Sequence, residues 1–163
     1  MNQHFSFSIY DLKEKPCFLD TCAKWSFDEW GRHVPNCTLD KVRDNYLQSL
    51  KNDGLPMMWV AVSKGMLVGM VSLKGNAHAE RSDLTPWLGS LYVQGDYRRK
   101  GLGKKLICHV EKQAMDMGYQ NLYLYSSHAS DFYKNLDWQK IGDVEDPMNS
   151  KRRAGLMKKV LSD

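Results

Sequence analysis

The pattern of hydrophobic and polar residues along the chain predicts strands and helices in alternation. Two apolar runs, residues 57–63 and 66–74, flank Lys64-Gly65 and predict a β-hairpin. A third run rich in strand-forming residues, 87–93, is followed by apolar residues at helical spacing, which are Leu106, Ile107, Val110, Ala114 and Met117. We therefore expect a strand at 87–93 and a helix over 101–117, with a glycine cap at residue 118.

The remaining segments complete an α/β order. Strand-like runs occupy residues 4–10, 121–125, 139–144 and 154–161. Helical segments are expected at residues 16–30, 38–50 and 130–136, the first of them opened by a proline. The strand at 87–93, the helix after it and the strand at 121–125 follow one another directly. That order predicts a parallel strand pair with a crossover helix.

The length and composition favour one globular domain. The 163 residues are 42% hydrophobic, enough for one sizeable core, so a single domain over residues 1–163 is expected. No charged-then-apolar leader opens the chain, and no apolar run reaches the roughly 20 residues that cross a bilayer. We expect a soluble, cytoplasmic protein without membrane contact. The spacing of its Cys, His, Asp and Glu residues predicts neither a disulfide scaffold nor a metal site.

The junction between the strand at 87–93 and the following helix carries a candidate anion site. Gly101 and Gly103 lie in an Arg-x-x-Gly-x-Gly turn where the helix begins. Unpaired backbone N–H groups and the helix dipole favour an anion there, and glycine lets phosphate oxygens approach the backbone. Five basic residues surround the turn, which are Arg98, Arg99, Lys100, Lys104 and Lys105. The junction predicts a pyrophosphate site, although a solvated basic helix start would have the same composition.

Two motifs in this order resemble those of the GNAT superfamily of N-acetyltransferases. Its acetyl-coenzyme A signature is Gln or Arg, two residues, Gly, one residue, Gly or Ala, and Arg98, Gly101 and Gly103 match it. Further along, an Ala-x-x-Phe-Tyr-x-x-Leu-Gly-Trp pattern is matched by Ala129, Phe132, Tyr133, Leu136 and Trp138. Asp137 stands in place of the usual glycine. With the flanking elements, the resemblance extends over roughly residues 57–161.

The resemblance implies a GNAT fold, a mixed and mostly antiparallel sheet whose central parallel pair splays around the coenzyme, flanked by the four predicted helices. It implies acetyl-coenzyme A as co-substrate and, since no cysteine falls within either motif, direct transfer to an amine. The expected coenzyme contacts are Leu91, Tyr92, Val93, Arg98, Arg99, Lys100, Gly101, Leu102, Gly103, Lys104, Ser130 and Tyr133. A backbone N–H of the strand at 87–93 would stabilise the thioester oxyanion, and Tyr133 would protonate the departing thiolate.

The group that deprotonates the acceptor amine is less clearly marked. Asp83 and Glu80 rank first as bases because they directly precede the strand at 87–93. The other candidates are His78, Glu29 and a water held by Ser126 and His128. The residues expected to contact the acceptor are Glu29, Trp30, Trp87 and Ser126. A small amine is the expected acceptor, and a protein N-terminus or lysine is the alternative.

Positive charge is concentrated in two runs. Residues 98–105 and 151–159 each hold five basic residues and no acid. Removing those ten from the 23 Lys and Arg leaves 13 against 19 Asp and Glu, a formal charge of −6 that would suit a cationic amine. Neither run contains an aromatic residue, which disfavours nucleic-acid binding. A domain that binds the coenzyme without catalysis stays open, as does a homodimer through the C-terminal strand.

Overall fold

The computed structural model of the chain describes residues 5–162, and these form one seven-stranded mixed sheet. The strands are β1 (Ser8–Asp11), β2 (Met57–Ser63), β3 (Met66–Lys74), β4 (Trp87–Val93), β5 (Asn121–Ser126), β6 (Gln139–Asp146) and β7 (Asn149–Val160). Their order across the sheet is β1-β2-β3-β4-β5-β7-β6. The β4–β5 pair is parallel and the other pairs are antiparallel. The predicted fold class is confirmed.

The helices that flank the sheet are α1 (Leu19–Glu29), α2 (Leu39–Lys51), α3 (Leu102–Asp116) and α4 (Ser130–Lys134). Thr38 caps α2 by accepting a hydrogen bond from the Lys41 N–H at 3.2 Å. Gly101 precedes α3 with a φ of 81°, and Gly118 follows it with a φ of 90°. Glycine adopts these left-handed conformations at little cost, which explains why α3 begins and ends close to its predicted bounds.

Within residues 5–162, no helix combines the length and the apolar character that crossing a bilayer requires.

Several elements differ from their predicted bounds. Pro16 opens a single 3-10 turn, and α1 begins only at Leu19. The strand predicted from residue 4 begins at Ser8, and residue 4 itself lies outside the described part of the chain. Strands β6 and β7 extend into one long hairpin, where Glu145 lies opposite Arg153. Such polar cross-strand pairs extend both strands beyond the apolar residues from which their bounds were predicted.

Alternation along the strands divides their side chains between two faces. Leu73 of β3 belongs to the core cluster beneath α3, whereas Met70 belongs to the cluster covered by α1 and α2. Successive residues of a strand point to opposite faces, so Ser72 and Lys74 share the face of Met70. This parity places a lysine on the face that carries α1 and α2.

Strands β4 and β5 separate beyond their first residues. They pair at a single position, Trp87 opposite Tyr123. Beyond it the two strands diverge, since no further backbone pairing holds them together. The divergence opens a cleft that runs between the two halves of the sheet.

A bulge in β4 accompanies this separation. Two residues of β4, Ser90 and Leu91, lie opposite the single residue Val71 of β3. Ser90 has a φ of 51°, which is uncommon for a residue with a side chain. Tyr46 of α2 donates a hydrogen bond from Oη to Ser90 Oγ at 2.9 Å. The bulge is therefore held from the helical layer as well as from the sheet.

Asp137 provides a test of how α4 ends. Its φ of 67° is left-handed, and the Trp138 N–H after it donates to the Tyr133 carbonyl at 3.1 Å. Asp137→Val should lower the free energy of unfolding by about 1–2 kcal/mol, because a β-branched residue fits this conformation poorly. Asp137→Gly, the matched control, should change it by less than about 1 kcal/mol, since relief of strain is offset by glycine's freedom in the unfolded chain. Urea denaturation measures both values, and a valine variant as stable as the wild type would contradict this account.

Asp146 at the end of β6 predicts a pH dependence of stability. The carboxylate is 1% exposed and accepts hydrogen bonds from Arg152 Nε at 2.7 Å, Ser127 Oγ at 2.8 Å and the Met148 N–H at 2.9 Å. Desolvation opposes ionisation, but these donors outweigh it and hold the pKa of Asp146 below its usual value. The stabilisation is thus present well above about pH 4 and is lost as pH falls through the folded-state pKa.

Asp146→Asn should therefore lower the free energy of unfolding by about 2 kcal/mol at pH 7, and the difference from the wild type should shrink in acid. Denaturant unfolding between pH 7 and pH 3 measures this. Asp143→Asn is the control on the same strand, because its ion pair with Lys140 is exposed, and it should cost less than about 1 kcal/mol. Equal effects of the two substitutions at every pH would contradict the assignment.

Candidate active site

The separation of β4 and β5 creates a cavity of about 450 Å³, within the range of small-molecule sites. Four parts of the chain line it. They are the C-terminal end of α1, the bulged segment 88–91 of β4, residues 124–129 at the end of β5, and residues 146–148 in the β6–β7 turn. Tyr133 of α4 and Lys74 of β3 complete the wall. We call this cavity the central cleft.

The predicted anion site lies where β4 passes into α3. Arg99 has a φ of 62° and Gly101 one of 81°, so the chain turns sharply twice before the helix begins. No side chain among residues 5–162 caps the first turn of α3. Its leading N–H groups thus remain available to a phosphate, together with the positive end of the helix dipole.

The basic side chains around this turn have different environments. Arg98 donates from Nε to the Val93 carbonyl at 2.8 Å, and its guanidinium lies 5.4 Å from the centre of the Tyr92 ring. Lys100 Nζ lies over the Phe5 ring at 5.4 Å. Both side chains thus brace the turn. Arg99 and Lys104 are exposed, and these two are better placed to meet phosphate charge.

An exposed aromatic ring stands beside the turn. Phe132 of α4 is 42% exposed, and its Cζ would lie 3.8 Å from a Cβ on Gly103. The Phe-Tyr pair of the second motif therefore reaches the first motif in space. Sequence reasoning placed Phe132 in the motif but gave it no role, since exposure follows only from how α4 packs.

Tyr133 lies where the cleft meets α4. Its side chain is 7% exposed and packs edge-on against Trp138, with ring centres 5.8 Å apart. Burial raises the pKa of Tyr133 to about 12, so the phenol stays protonated throughout the physiological range. A protonated phenol that faces the cleft can donate to a departing anion.

The predicted contacts of β4 and α4 divide between the two faces of the sheet. Leu91 lines the cleft, while the Tyr92 ring lies on the α1 face, 5.0 Å from the centre of Trp25. Val93 packs with the core beneath α3. Ser130 packs toward β7 instead, because its Oγ would lie 3.0 Å from a Cβ on Gly155.

The two acids ranked first as bases lie outside the cleft. Arg81 donates two hydrogen bonds of 3.0 Å to Asp83, and they lower the pKa of that carboxyl. At Glu80, partial desolvation is outweighed by Arg153, whose Nη1 donates to Oε1 at 3.2 Å and lowers the pKa. Neither residue lines the cleft. Both carboxylates are engaged by arginines, which argues against either one as the base.

The nearby histidine candidate is likewise engaged. His78 Nε2 lies 2.7 Å from the Glu145 carbonyl, and Nδ1 accepts from the Glu80 N–H at 3.2 Å. Because Nδ1 accepts, Nε2 carries the proton and donates to the Glu145 carbonyl. This hydrogen bond links the β3–β4 connection to β6. His128, by contrast, is exposed and lines the cleft.

Three of the four predicted acceptor contacts meet at the cleft. Glu29 and Trp30 line it from α1, and Ser126 lines it from β5. Trp87 is not among the described residues that line the cleft. Its ring is fully buried, packs against Tyr123 at 6.0 Å between centres, and donates from Nε1 to the Leu84 carbonyl at 2.8 Å. Trp87 is a core residue that anchors the one point where β4 and β5 pair.

Sequence reasoning missed two charged groups of the cleft, Lys74 and Asp146. Lys74 ends a hairpin strand, where a lysine usually points to solvent. Asp146 lies beyond the predicted end of its strand. The alternation of side chains along β3 was the only sequence feature that placed Lys74 on this face of the sheet. For Asp146 no signal existed, because its partner Arg152 comes from the far side of the turn.

Residues 19–138 match the family model described as "Acetyltransferase (GNAT) family". N-acetyltransferase family 8 member 3 of Mus musculus is 31% identical over 122 residues, covering 71% of this chain and 52% of that protein. N-acetylaspartate synthetase of Xenopus tropicalis is 33% identical over 91 residues, covering 53% of this chain and 32% of that protein. The chain therefore spans about half the length, or less, of these curated relatives.

The fold comparison agrees with the family match. A crystal structure of aminoglycoside 6'-N-acetyltransferase complexed with coenzyme A aligns with a TM-score of 0.75 and 15% sequence identity, covering 97% of this chain and 98% of that one. At this identity the likeness concerns the fold. The glycine turn, the splayed strand pair and a family match over residues 19–138 lead to one conclusion: the chain belongs to the GNAT family of acetyltransferases.

Proposed function

We propose that this chain transfers the acetyl group of acetyl-coenzyme A to the primary amine of a small molecule by direct attack. The observation that carries the proposal is the central cleft, which Glu29 and Trp30 of α1 line together with Tyr133 of α4, next to the Phe132 ring that lies beside the glycine turn. The coenzyme would supply the activated acetyl thioester. The uncapped amides of α3, with Arg99 and Lys104, would hold its diphosphate.

The β4 bulge supports the polarisation of the thioester carbonyl. A bulge leaves a residue out of the ladder, so a backbone N–H near Leu91 is available to donate to the carbonyl oxygen. As the amine nitrogen attacks the carbonyl carbon, this donor stabilises the negative charge on the oxygen. The C–S bond then breaks, and Tyr133 donates its proton to the leaving sulfur.

Direct transfer is favoured over an acyl-enzyme because none of the cleft-lining residues is a cysteine. Cys22 is buried in the α1 layer, where burial raises the pKa of its thiol to about 12 and keeps it protonated. The attacking amine must itself be neutral. We assign removal of its proton to water held by Ser126 and His128, which line the cleft together.

A small acceptor is favoured by the walls of the cleft. The C-terminal end of α1 and the β6–β7 turn line it, and in that turn Asp146 accepts a hydrogen bond from the Met148 N–H. One group of relatives is named for N-acetylaspartate, an acetylated amino acid. A protein N-terminus or lysine is the alternative acceptor.

The direct test measures acetyl-coenzyme A consumption with panels of amino acids, polyamines, aminoglycosides and short peptides. The proposal expects saturable turnover with small amines. Turnover with peptides alone would support the protein acetyltransferase instead. Coenzyme binding by calorimetry without turnover on any panel would support a non-catalytic binding protein.

Gly101→Leu should weaken coenzyme binding by about tenfold or more, because a side chain at positive φ costs about 1–2 kcal/mol and displaces the amides of α3. Calorimetric titration with coenzyme A measures the change. Gly65→Leu is the matched control, since Gly65 has a φ of 77° and, like Gly101, no heavy atom within 4 Å of its Cβ position. Gly65→Leu should cost similar stability yet leave coenzyme affinity intact. Unchanged affinity in the Gly101 variant would contradict the phosphate site.

Tyr133→Phe should lower kcat by about 100-fold and leave the affinity for coenzyme A within about twofold, because the phenol acts on the leaving group. Steady-state kinetics with the best acceptor from the panels measures this. Tyr119→Phe, beyond the C-terminal end of α3, is the control and should retain wild-type kcat. An unaffected rate in the Tyr133 variant would remove that residue as the acid.

A further inference from the structure

A polar patch on the floor of the central cleft has no part in the chemistry described so far. It surrounds Gly89 of β4, where the missing side chain leaves room. A Cβ at this position would lie 3.3 Å from Ser72 Oγ and 3.5 Å from Lys74 Nζ. Two polar groups of β3 therefore converge on one point beside the cleft.

Neither group has a hydrogen-bond or ion-pair partner among residues 5–162. Ser72 is 3% exposed, and its Oγ is buried without a hydrogen bond to any described residue. Among residues 5–162, Lys74 makes no ion pair, and burial is the cause that lowers the pKa of its amine. An ammonium group in such a place is costly unless an anion accompanies it. Two orphaned donors side by side are typical of a site whose partner comes from a ligand.

The other charged groups of the cleft do not offset the charge of Lys74, so the patch around Gly89 is electropositive. Asp146 also lines the cleft, but Arg152 and Ser127 already engage its carboxylate. Glu29 and His128 are exposed at the cleft walls. No carboxylate within residues 5–162 lies within 4.0 Å of Lys74 Nζ, so its counter-charge is left to the occupant of the cleft.

We propose that Lys74, beside Ser72 and above Gly89, binds a carboxylate of the acceptor, and that the acceptor class is therefore a small amine that also carries a carboxylate, as an amino acid does. This inference rests on the proposed function and narrows it. It replaces the cationic acceptor that the acidic charge outside the two basic runs had suggested. The reason is that Lys74, a cation, is the charged group whose counter-charge is left to the occupant of the cleft. The carboxylate can accept hydrogen bonds from both the Lys74 ammonium and the Ser72 hydroxyl.

The experiment compares acceptors that share an amine and differ in the carboxylate. L-leucine, L-phenylalanine and L-glutamate are assayed against L-leucinamide, L-phenylalaninamide and L-isoglutamine. An α-amide has the more readily deprotonated amine, so intrinsic reactivity favours the amides. The inference expects the free acids to have the higher kcat/KM by about tenfold or more in at least one pair. Equal values, or a preference for the amide in every pair, would overturn it.

Variants of Lys74 then test the residue. Lys74→Met should raise KM for the preferred acid by about tenfold or more and leave its amide within about twofold, while Lys74→Arg should retain part of the preference. Lys51→Met is the matched control, because Lys51 is exposed at the C-terminal end of α2. Its kinetics should match the wild type. A KM in Lys74→Met that rises equally for acid and amide would reveal a structural role and overturn the inference.

A binding measurement separates failure of this inference from failure of the proposed function. Calorimetry with N-acetyl-L-leucine, with and without coenzyme A, is performed on the wild type and on Lys74→Met. Weaker binding of the acid to the variant supports the carboxylate site even where turnover is absent. If the wild type acetylates only uncharged or cationic amines and binds no acid, the proposed function stands and this inference falls.

Discussion

The single backbone pairing between β4 and β5 is the constraint on which the site depends. Trp87 opposite Tyr123 holds the two strands together at one end, and the buried Trp87 ring anchors that contact. Past this point β4 follows β3 through a bulge, while β5 follows β7 in regular register. Within the described chain no further backbone pairing joins β4 to β5, and their separation supplies both the cleft and the unpaired backbone groups within it.

The groups around the cleft differ between the two faces of the sheet. On the α3 and α4 face lie the uncapped helix start, Phe132 and Tyr133, which suit an anionic carrier and a departing sulfur. On the α1 and α2 face lie Lys74 and the end of α1, which suit the acceptor. The bulge at Ser90 lies between them, held by Tyr46 from α2. Under the proposed function, the two substrates would meet at this strand, whose backbone would polarise the reacting carbonyl.

The predicted site residues that lie outside the cleft are placed there by long-range packing. Glu80 precedes β4 closely, yet its partner is Arg153, 73 residues away, and that ion pair exists only once β6 and β7 fold over the β3–β4 connection. In the sequence, nothing distinguishes Trp87 from another tryptophan near a motif. Only in the folded chain does its packing against Tyr123 bury it. Proximity in sequence to a motif was a poor guide to proximity in space, because Glu80 and Trp87 do not line the cleft although Ala77, in the same connection, does.

The sequence alone determined the elements whose signals are local. Glycines at positive φ bound α3, and apolar runs define β2 to β5. The spacing of Arg98, Gly101 and Gly103 predicts an anion site at the turn before α3, which stays a prediction. The sequence also placed Tyr133 in the right motif, although its role as the acid stays a prediction, as do the single domain and the acceptor. Only the tertiary structure decided which polar groups share the cleft. Lys74, Asp146 and Ser126 come from three different strands, and their meeting depends on sheet order, strand parity and the divergence of β4 from β5. These are long-range properties that arise when the layers pack, so no window of the sequence contains them.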